Sequence, residues 1–377
     1  MRESGLLDEL RQRFPRVAVV HDWLTIPGGS ENVVLELLEM FPQAELFTSI
    51  YDPRPWPAQI TDRPVHASFL NRIPNAASHY RRLLPLMNRA YRSFDLSRFD
   101  LVLSSSHASA KNVHTPARTL HICYCHTPMR YAWDERFLQE EEVGSLVRLG
   151  LPALMWHMRR QDLKGASAPD VFVANSGHVA ARIQRHYGRS AEVVHPPVDV
   201  DSLLSLERRP QDYYLVFGRV VPYKRVDIAI EACGRLGRRL KIAGAGRALD
   251  TARGQAEGVA GIEFLGRVSY SERDQLMAEA RALLFPGEED FGIVPVEAQA
   301  AGVPVIAYGV GGARESVIDA STGVLFPEQT GESLAEGIER FERSEFDDQA
   351  IRDNARRFSR ERFRDEMASV IDRAARV

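Results

Sequence analysis

Cysteine is scarce in this chain: three in 377 residues, Cys123, Cys125 and Cys233. So few, so placed, they exclude a disulfide framework and suit a reducing compartment. Long apolar runs are missing too, and none approaches the ~20 residues that a membrane-spanning helix needs. The N-terminal stretch "MRESGLLDELRQRFPR" is charged throughout and lacks the apolar centre of a secretory signal. Charge of one sign is not in excess: the net formal charge of −3 gives no electrostatic reason to expect a nucleic-acid partner. The expectation is a cytoplasmic protein.

What is present is ordinary globular composition, 44% hydrophobic and 26% charged. The length exceeds that at which one core usually stops growing, so two domains are expected. Short β-branched runs alternate with helical patterns almost end to end. In the first half they read "VAVV" (17–20), "ELFTSI" (45–50), "DLVLSSS" (100–106), "LHICYC" (120–125), "VFVANS" (171–176) and "AEVVH" (191–195). In the second half they read "YYLVFG" (213–218), "RLKIAGAG" (239–246), "IEFLG" (262–266), "ALLFPG" (282–287), "VPVIAY" (303–308) and "GVLF" (323–326). Continuous apolar strands separated by helices imply parallel sheets covered on both faces. The fold class is therefore α/β, with two Rossmann-like domains over 1–205 and 206–358 and a last helix, 359–377, returning toward the first domain. Open α/β sheets bind ligands outside the carboxyl ends of their strands, so the site is expected in a cleft between the two sheets.

One stretch is locally basic. Between 71 and 98 stand Arg72, Arg81, Arg82, Arg89, Arg92 and Arg98 against a single acid, Asp95. On a helical wheel Leu83, Met87, Ala90 and Phe94 share one face while Arg81, Arg89 and Arg92 share the other, although Pro85 weakens the helix. Such a segment can lie on an anionic membrane surface or simply present a solvated basic face.

Three motifs carry chemistry. "PGGS" (27–30) follows the first strand and precedes a helix; Gly28 and Gly29 let backbone approach a ligand, and the helix start offers free N–H groups to an anion. "GRVVPYK" (218–224) sets Arg219 at a strand end and Lys224 five residues on. Two fixed cations there can neutralise a diphosphate as its charge grows during bond cleavage. "PGEEDFGIVPVEAQAAGVPV" (286–305) is the most specific. A strand ends, acids follow, and a helix starts near Gly292 with Pro295 in its first turn, where a missing N–H costs little. The N–H groups of Phe291, Gly292, Ile293 and Val294 are a second anion site, flanked by Glu289 before and Glu297 after, one carboxylate for sugar hydroxyls and one for ribose.

"EEDFGIVPVEAQAAGVPV" resembles the paired-glutamate motif of the family-4 retaining glycosyltransferases, which have the GT-B fold. "GRVVPYK" resembles their Arg/Lys phosphate site and "PGGSE" their N-terminal glycine loop, so the likeness spans nearly the whole chain. "HDWLT" with "YCHTPMRYAWD" is similar to a branch that includes bacterial mannosyltransferases of polysaccharide and O-antigen assembly. The resemblance implies Arg219 and Lys224 on the donor phosphates, Glu289 on the donor sugar and Glu297 on ribose. It further implies GDP-mannose as donor and a polyprenyl-diphosphate-linked glycan acceptor at the inner face of the cytoplasmic membrane. Base recognition is expected from backbone around Val268, in "GRVSYSE" (266–272).

"HICYCHTP" (121–128) packs two histidines and two cysteines together without the geometry of a metal site. On a strand His121 and Cys125 lie ~13 Å apart, too far to share one ion with ~2 Å ligand bonds. The cysteines alternate with apolar residues and read as small buried hydrophobes. His126 stands at the strand end, and by the resemblance approaches the transferred sugar. "MRYAWDERF" (129–137) then offers Arg130 for an acceptor phosphate and Tyr131 and Trp133 for sugar faces, or else an ordinary helix with buried aromatics. "DVD" (199–201) imitates an Asp-x-Asp metal motif but falls in the linker. With Arg219 and Lys224 as cations no metal and no other cofactor is expected. The expected reaction is hexose transfer with retention by front-face displacement, in which the departing phosphate takes the acceptor proton and His126, Arg219, Lys224 and Glu289 serve the transition state. A sugar-nucleotide epimerase and a non-catalytic nucleotide-sugar-binding subunit are the alternatives.

Overall fold

The computed structural model describes residues 3–134 and 145–376. The chain divides into two compact units, Met1–Pro197 with Glu361–Val377, and Val198–Arg360.

The first unit is built on a seven-stranded parallel sheet of order β3-β2-β1-β4-β5-β6-β7. Its strands are β1 Val17–His21, β2 Glu45–Thr48, β3 Val65–Ala67, β4 Leu101–Ser106, β5 Leu120–Cys125, β6 Val171–Ala174 and β7 Glu192–Val193. Alternation along the pleat feeds two cores. Val17, Val19, Leu101 and Leu103 pack on one face, while Ala18, Val20 and Val102 pack on the other. Helix α1, Gly29–Met40, follows β1, and α2, Leu84–Arg92, covers the second face. Long helix α3, Ser145–Gly165, and α4, Gly177–Tyr187, flank β6 in the chain.

The basic segment is not one helix. A 3-10 turn, Tyr80–Leu83, leads into α2, and Pro85 sits in the first turn of α2. There it starts the helix, because N–H groups of a first turn need no intrahelical partner. Leu84, Met87, Ala90 and Tyr91 are buried while Arg81, Arg89 and Arg92 are exposed.

The second unit repeats the plan with six parallel strands in the order β10-β9-β8-β11-β12-β13. These are β8 Tyr214–Phe217, β9 Leu240–Ala243, β10 Ile262–Gly266, β11 Leu283–Phe285, β12 Val305–Tyr308 and β13 Gly323–Phe326. Helices α5 Val226–Leu236, α6 Tyr270–Glu279, α7 Ile293–Ala300 and α8 Asp348–Arg356 complete the parts used below.

The expected boundary at 205/206 moves to 197/198. Val198, Val200 and Leu203 bury against Phe291, Val296, Ala300 and Phe358 of the second unit. The Arg352 guanidinium fastens the same segment, donating to the carbonyls of Leu203, Leu204 and Leu206 as well as to Ala300 and Ala301 at the end of α7. The last helix, Arg360–Ala374, buries Phe363, Met367, Val370 and Ile371 in the core of the first unit.

Candidate active site

Each sheet reverses its strand order once, between β1 and β4 in the first unit and between β8 and β11 in the second. The crevice at the carboxyl ends of the strands beside such a reversal is where open α/β sheets hold ligands. Both crevices carry chemistry, of different kinds.

In the second unit, Arg219 follows β8 and is exposed, its Nη2 donating to the Tyr223 hydroxyl at 3.3 Å. Lys224 ends a 3-10 turn, Pro222–Lys224, one residue before Arg225, whose left-handed backbone (φ 50°) caps α5. Lys224 therefore precedes the helix rather than opening it. Its ammonium lies 2.6 Å from a Glu289 carboxylate oxygen. Burial works against the charge, but Glu289 outweighs it and the Lys224 pKa is raised. Gly287 makes this approach possible: a Cβ there would stand 2.8 Å from the Lys224 Cα.

Helix α7 starts after Gly292 with no side chain capping it. Phe291 is buried against Phe358, so it can offer a ligand only backbone. Ile293 and Val294 are half-buried, as is Val268 beside the α6 start. Glu297 is mostly buried and pairs with Arg273 of α6 at 3.3 Å. Burial raises its pKa, Arg273 opposes this, and Asp199 and Asp274 add to it. Arg273 also bonds Asp274 at 2.6 Å and lies 5.2 Å from the exposed Tyr270 ring. No motif pointed to Arg273, because its partner is 24 positions away. Asp199 of "DVD" is exposed, is paired with Arg360 at 3.2 Å, and lies off any strand end.

In the first unit the switch point holds a buried polar chain that the motifs did not single out. Asp22 follows β1 and is fully buried. Its two oxygens accept from the backbone N–H groups of His107, Ala108, Ser109 and Ala110 at 2.6, 2.8, 2.5 and 2.7 Å. Burial alone would raise its pKa, yet the His107 and His21 rings and these N–H groups win and hold it low. Nε2 of buried His21 lies 3.1 Å from Glu31 Oε1 in the first turn of α1. His21 Nδ1 lies 3.2 Å from the Ser105 carbonyl and 3.1 Å from the Ser105 hydroxyl, which is 2.8 Å from Nε2 of His126.

His126 sits one residue past β5, its carbonyl held by the Asn175 side-chain amide at 3.0 Å. Burial, then the nearby His107 and His21, push its pKa down to about 3, so the ring is neutral at pH 7. Gly28 caps α1 and Gly29 opens it, as the glycine motif requires. Glu31, however, sits in that first turn, its Oε2 3.1 Å from where a Gly28 side chain would begin, and a carboxylate there competes with a phosphate for the same N–H groups.

Arg130, Tyr131 and Trp133 form a short turn, Arg130–Trp133, and the stretch leaves the described residues after Asp134. The Trp133 indole donates to buried Asp162 at 2.7 Å and its ring packs 4.6 Å from His186, which makes it a framework residue. Cys123 and Cys125 bury with Phe172, Val179 and Ile183. Among the described residues no cluster of three metal-ligating side chains exists.

Two Rossmann-like parallel-sheet units, each with polar groups at its switch point, define an α/β protein of the GT-B class. The chain belongs to the glycosyltransferases: the family model "Glycosyltransferase Family 4" matches residues 27–202 and "Glycosyl transferases group 1" matches residues 205–358. It is 29% identical over 194 residues to the uncharacterised glycosyltransferase MJ1178 of Methanocaldococcus jannaschii, covering 51% of this chain and 55% of that one. It is 32% identical over 167 residues to the D-inositol 3-phosphate glycosyltransferase of Mycobacteroides abscessus, covering 39% of this chain and 38% of the relative. The chain thus spans about half or less of the length of these curated relatives. Among solved structures, the lipopolysaccharide outer core galactosyltransferase WaaB superposes with a TM-score of 0.65 at 17% identity, over 95% of this chain and 99% of that one. Anabaena HepE in complex with UDP-glucose gives a TM-score of 0.65 at 19% identity, over 94% of this chain and 99% of that one.

Proposed function

We propose that this protein is a retaining hexosyltransferase that moves mannose from GDP-mannose to a hydroxyl of a polyprenyl-diphosphate-linked glycan. The observation that carries the reading is the Lys224–Glu289 pair, 2.6 Å apart at the switch point of the second sheet, with the Arg219 charge close enough to act on Lys224. An ammonium, a guanidinium and the uncapped start of α7 suit a diphosphate leaving group. Phe291, Gly292, Ile293 and Val294 contribute backbone, Val268 flanks the base, and Glu297, steadied by Arg273, takes the ribose.

A carboxylate held by an ammonium is a poor nucleophile. That supports front-face displacement, in which the β-phosphate oxygen takes the proton from the acceptor hydroxyl as the glycosidic bond to phosphate breaks and the new one forms. Glu289 then orients the sugar through its remaining oxygen, and His126 is proposed as a further sugar contact. The fixed cations support a reaction that needs no metal. Arg130 and Tyr131 serve the acceptor. The exposed Arg72, Arg81, Arg82, Arg89 and Arg92, with Leu86 exposed among them, support contact with an anionic leaflet. No helix among the described residues is long and apolar enough to cross a membrane. The UDP-glucose complex of Anabaena HepE supports a nucleotide-sugar donor.

A thermal-shift screen of GDP-, UDP- and ADP-sugars with EDTA present tests the donor. A ligand at 100 times its Kd stabilises by about 2.7 kcal/mol. GDP-mannose is expected to shift the transition; a shift with UDP-sugars alone removes the mannose assignment. Donor incubated without acceptor should remain unconverted, whereas an epimerase would change its sugar.

A further inference from the structure

Four side chains in the first unit form an unbroken hydrogen-bonded line, Glu31–His21–Ser105–His126, with steps of 3.1, 3.1 and 2.8 Å. Glu31 and His21 are buried, and Ser105 is fully so. Of the four, His126 alone is half-buried rather than buried, and its Nδ1 has no hydrogen-bond partner among the described residues. The line is therefore anchored at one end and open at the other.

Donors and acceptors along it can be assigned. His21 Nδ1 faces the Ser105 backbone carbonyl at 3.2 Å, and a carbonyl oxygen can only accept. Nδ1 must therefore carry a proton. His21 Nε2 faces a carboxylate, so wherever the proton shared with Glu31 resides, Nδ1–H is retained. The Ser105 hydroxyl, 3.1 Å from this N–H, cannot donate to it. Its one proton has a single acceptor on offer along the line, His126 Nε2 at 2.8 Å. A neutral imidazole that accepts at Nε2 must carry its proton on Nδ1.

We infer that Glu31, His21 and Ser105 are positioning residues that lock His126 in the Nδ1–H tautomer, so that it meets its ligand as a hydrogen-bond donor and not as a base. The atom it recognises must be an acceptor, such as a sugar hydroxyl oxygen or a phosphate oxygen. The inference deepens the transferase reading at His126, and rests on that reading only for the identity of the ligand. Other charged or titratable groups also face the line. His107 packs 5.9 Å from the His21 ring and 6.2 Å from the His126 ring, Asp22 Oδ2 is 3.4 Å from His107 Nδ1, and Tyr124 is 5.1 Å from His126. They set the electrostatic surroundings, but none of their side chains is hydrogen-bonded to the Ser105 hydroxyl.

The test is ring-nitrogen NMR of the full chain labelled with 15N-histidine, with His126 assigned by the signal lost in His126→Gln. At pH 7 the wild type should show a protonated Nδ1 and a bare Nε2 at His126. Glu31→Gln keeps a hydrogen-bond partner for His21 Nε2 and leaves the Ser105 carbonyl opposite His21 Nδ1, so His126 should keep Nδ1–H in that variant. Ser105→Ala removes the hydroxyl and should leave a mixture of tautomers, and Ser105→Thr, which keeps it, should restore Nδ1–H. Variants are compared only where the backbone amide spectrum remains native-like, and the wild-type spectrum by itself already decides the tautomer. A wild-type His126 protonated at Nε2, or an unmoved tautomer in folded Ser105→Ala, overturns the inference. Donor binding is read separately by thermal shift, so failure of the transferase reading and failure of the tautomer lock are told apart.

Discussion

The two units share a strand order but differ in how they hold charge. All eleven histidines of the chain lie before residue 198, and the second unit has none. The first unit buries histidines at its switch point, with the His126 ring kept neutral, beside the Glu31 and Asp22 carboxylates, whose pKa values, despite burial, are held low by neighbouring rings and, at Asp22, by backbone N–H donors. The second uses permanent opposite charges, Lys224 with Glu289 and Arg273 with Glu297, at partly open positions. The contrast fits a division of labour. Developing phosphate charge calls for a fixed cation, whereas sugar hydroxyls call for a donor or acceptor of defined direction.

The largest expected effect breaks a buried ion pair in the first unit. Lys111 donates to the Ala108 carbonyl at 2.6 Å and to Asp162 at 2.5 Å, both side chains being 1% exposed. Lys111→Met strands the Asp162 charge and should cost about 3–5 kcal/mol in denaturant unfolding. Less than about 1 kcal/mol would mean that Trp133 and Tyr187, which also donate to Asp162, suffice to hold it.

Next in size is turnover in the second unit. Lys224→Ala should lower kcat by about 10²–10³, judged by the loss of comparable charge-stabilising donors. Near wild-type transfer would remove the electrostatic role assigned to the Lys224–Glu289 pair.

Acid sharpens the comparison because histidines are confined to one unit. Burial pushes the His121 pKa down to about 4, against ~6.5 when free. Between these values the unfolded chain binds a proton that the native ring refuses. Stability is thus highest above about pH 6.5 and falls as the pH drops toward 4, by about 1.4 kcal/mol per pH unit for a fully linked ring. Hydrogen exchange at pH 7.5 and pH 5 should show protection lost in first-unit peptides and kept in second-unit peptides. His121→Gln should reduce that slope.

The smallest effect comes from a matched pair of Gly→Ala changes, one in each unit. Gly188 ends α4 at φ 65° with nothing within 4 Å of an added Cβ, so only backbone strain of about 1–2 kcal/mol is expected. Gly311 has φ 76°, and an added Cβ would meet the Glu289 carbonyl at 2.4 Å. Gly311→Ala should therefore lower transfer as well as stability, while Gly188→Ala should touch stability alone; equal effects on transfer would separate Glu289 from the chemistry.

Strands were legible where the apolar run is continuous and β-branched, as in "YLVF" and "VIAY". The three-residue β3 was not, since Val65 and Ala67 with an intervening histidine give no pattern to count. The compact division at 197/198 was not legible, because the partners of Val198 and Leu203, such as Phe291 and Phe358, lie from about 90 to about 160 residues on. Arg219, Lys224, Glu289, Glu297 and His126 were each legible from motif position. The Lys224–Glu289 pairing, Arg273, and the line through Glu31, His21 and Ser105 were not, because each needs side chains from separate strands or helices brought to one crevice.

The sequence by itself determined two parallel α/β sheets and which charged residues stand at strand ends, because strand period, helix starts and turn chemistry are local properties of the chain. Only the tertiary structure decided which of those residues meet, where one unit yields to the next, and that a serine between two histidines fixes the direction of a proton. Those outcomes depend on distances of about 3 Å between residues far apart in the chain, and no local pattern encodes them.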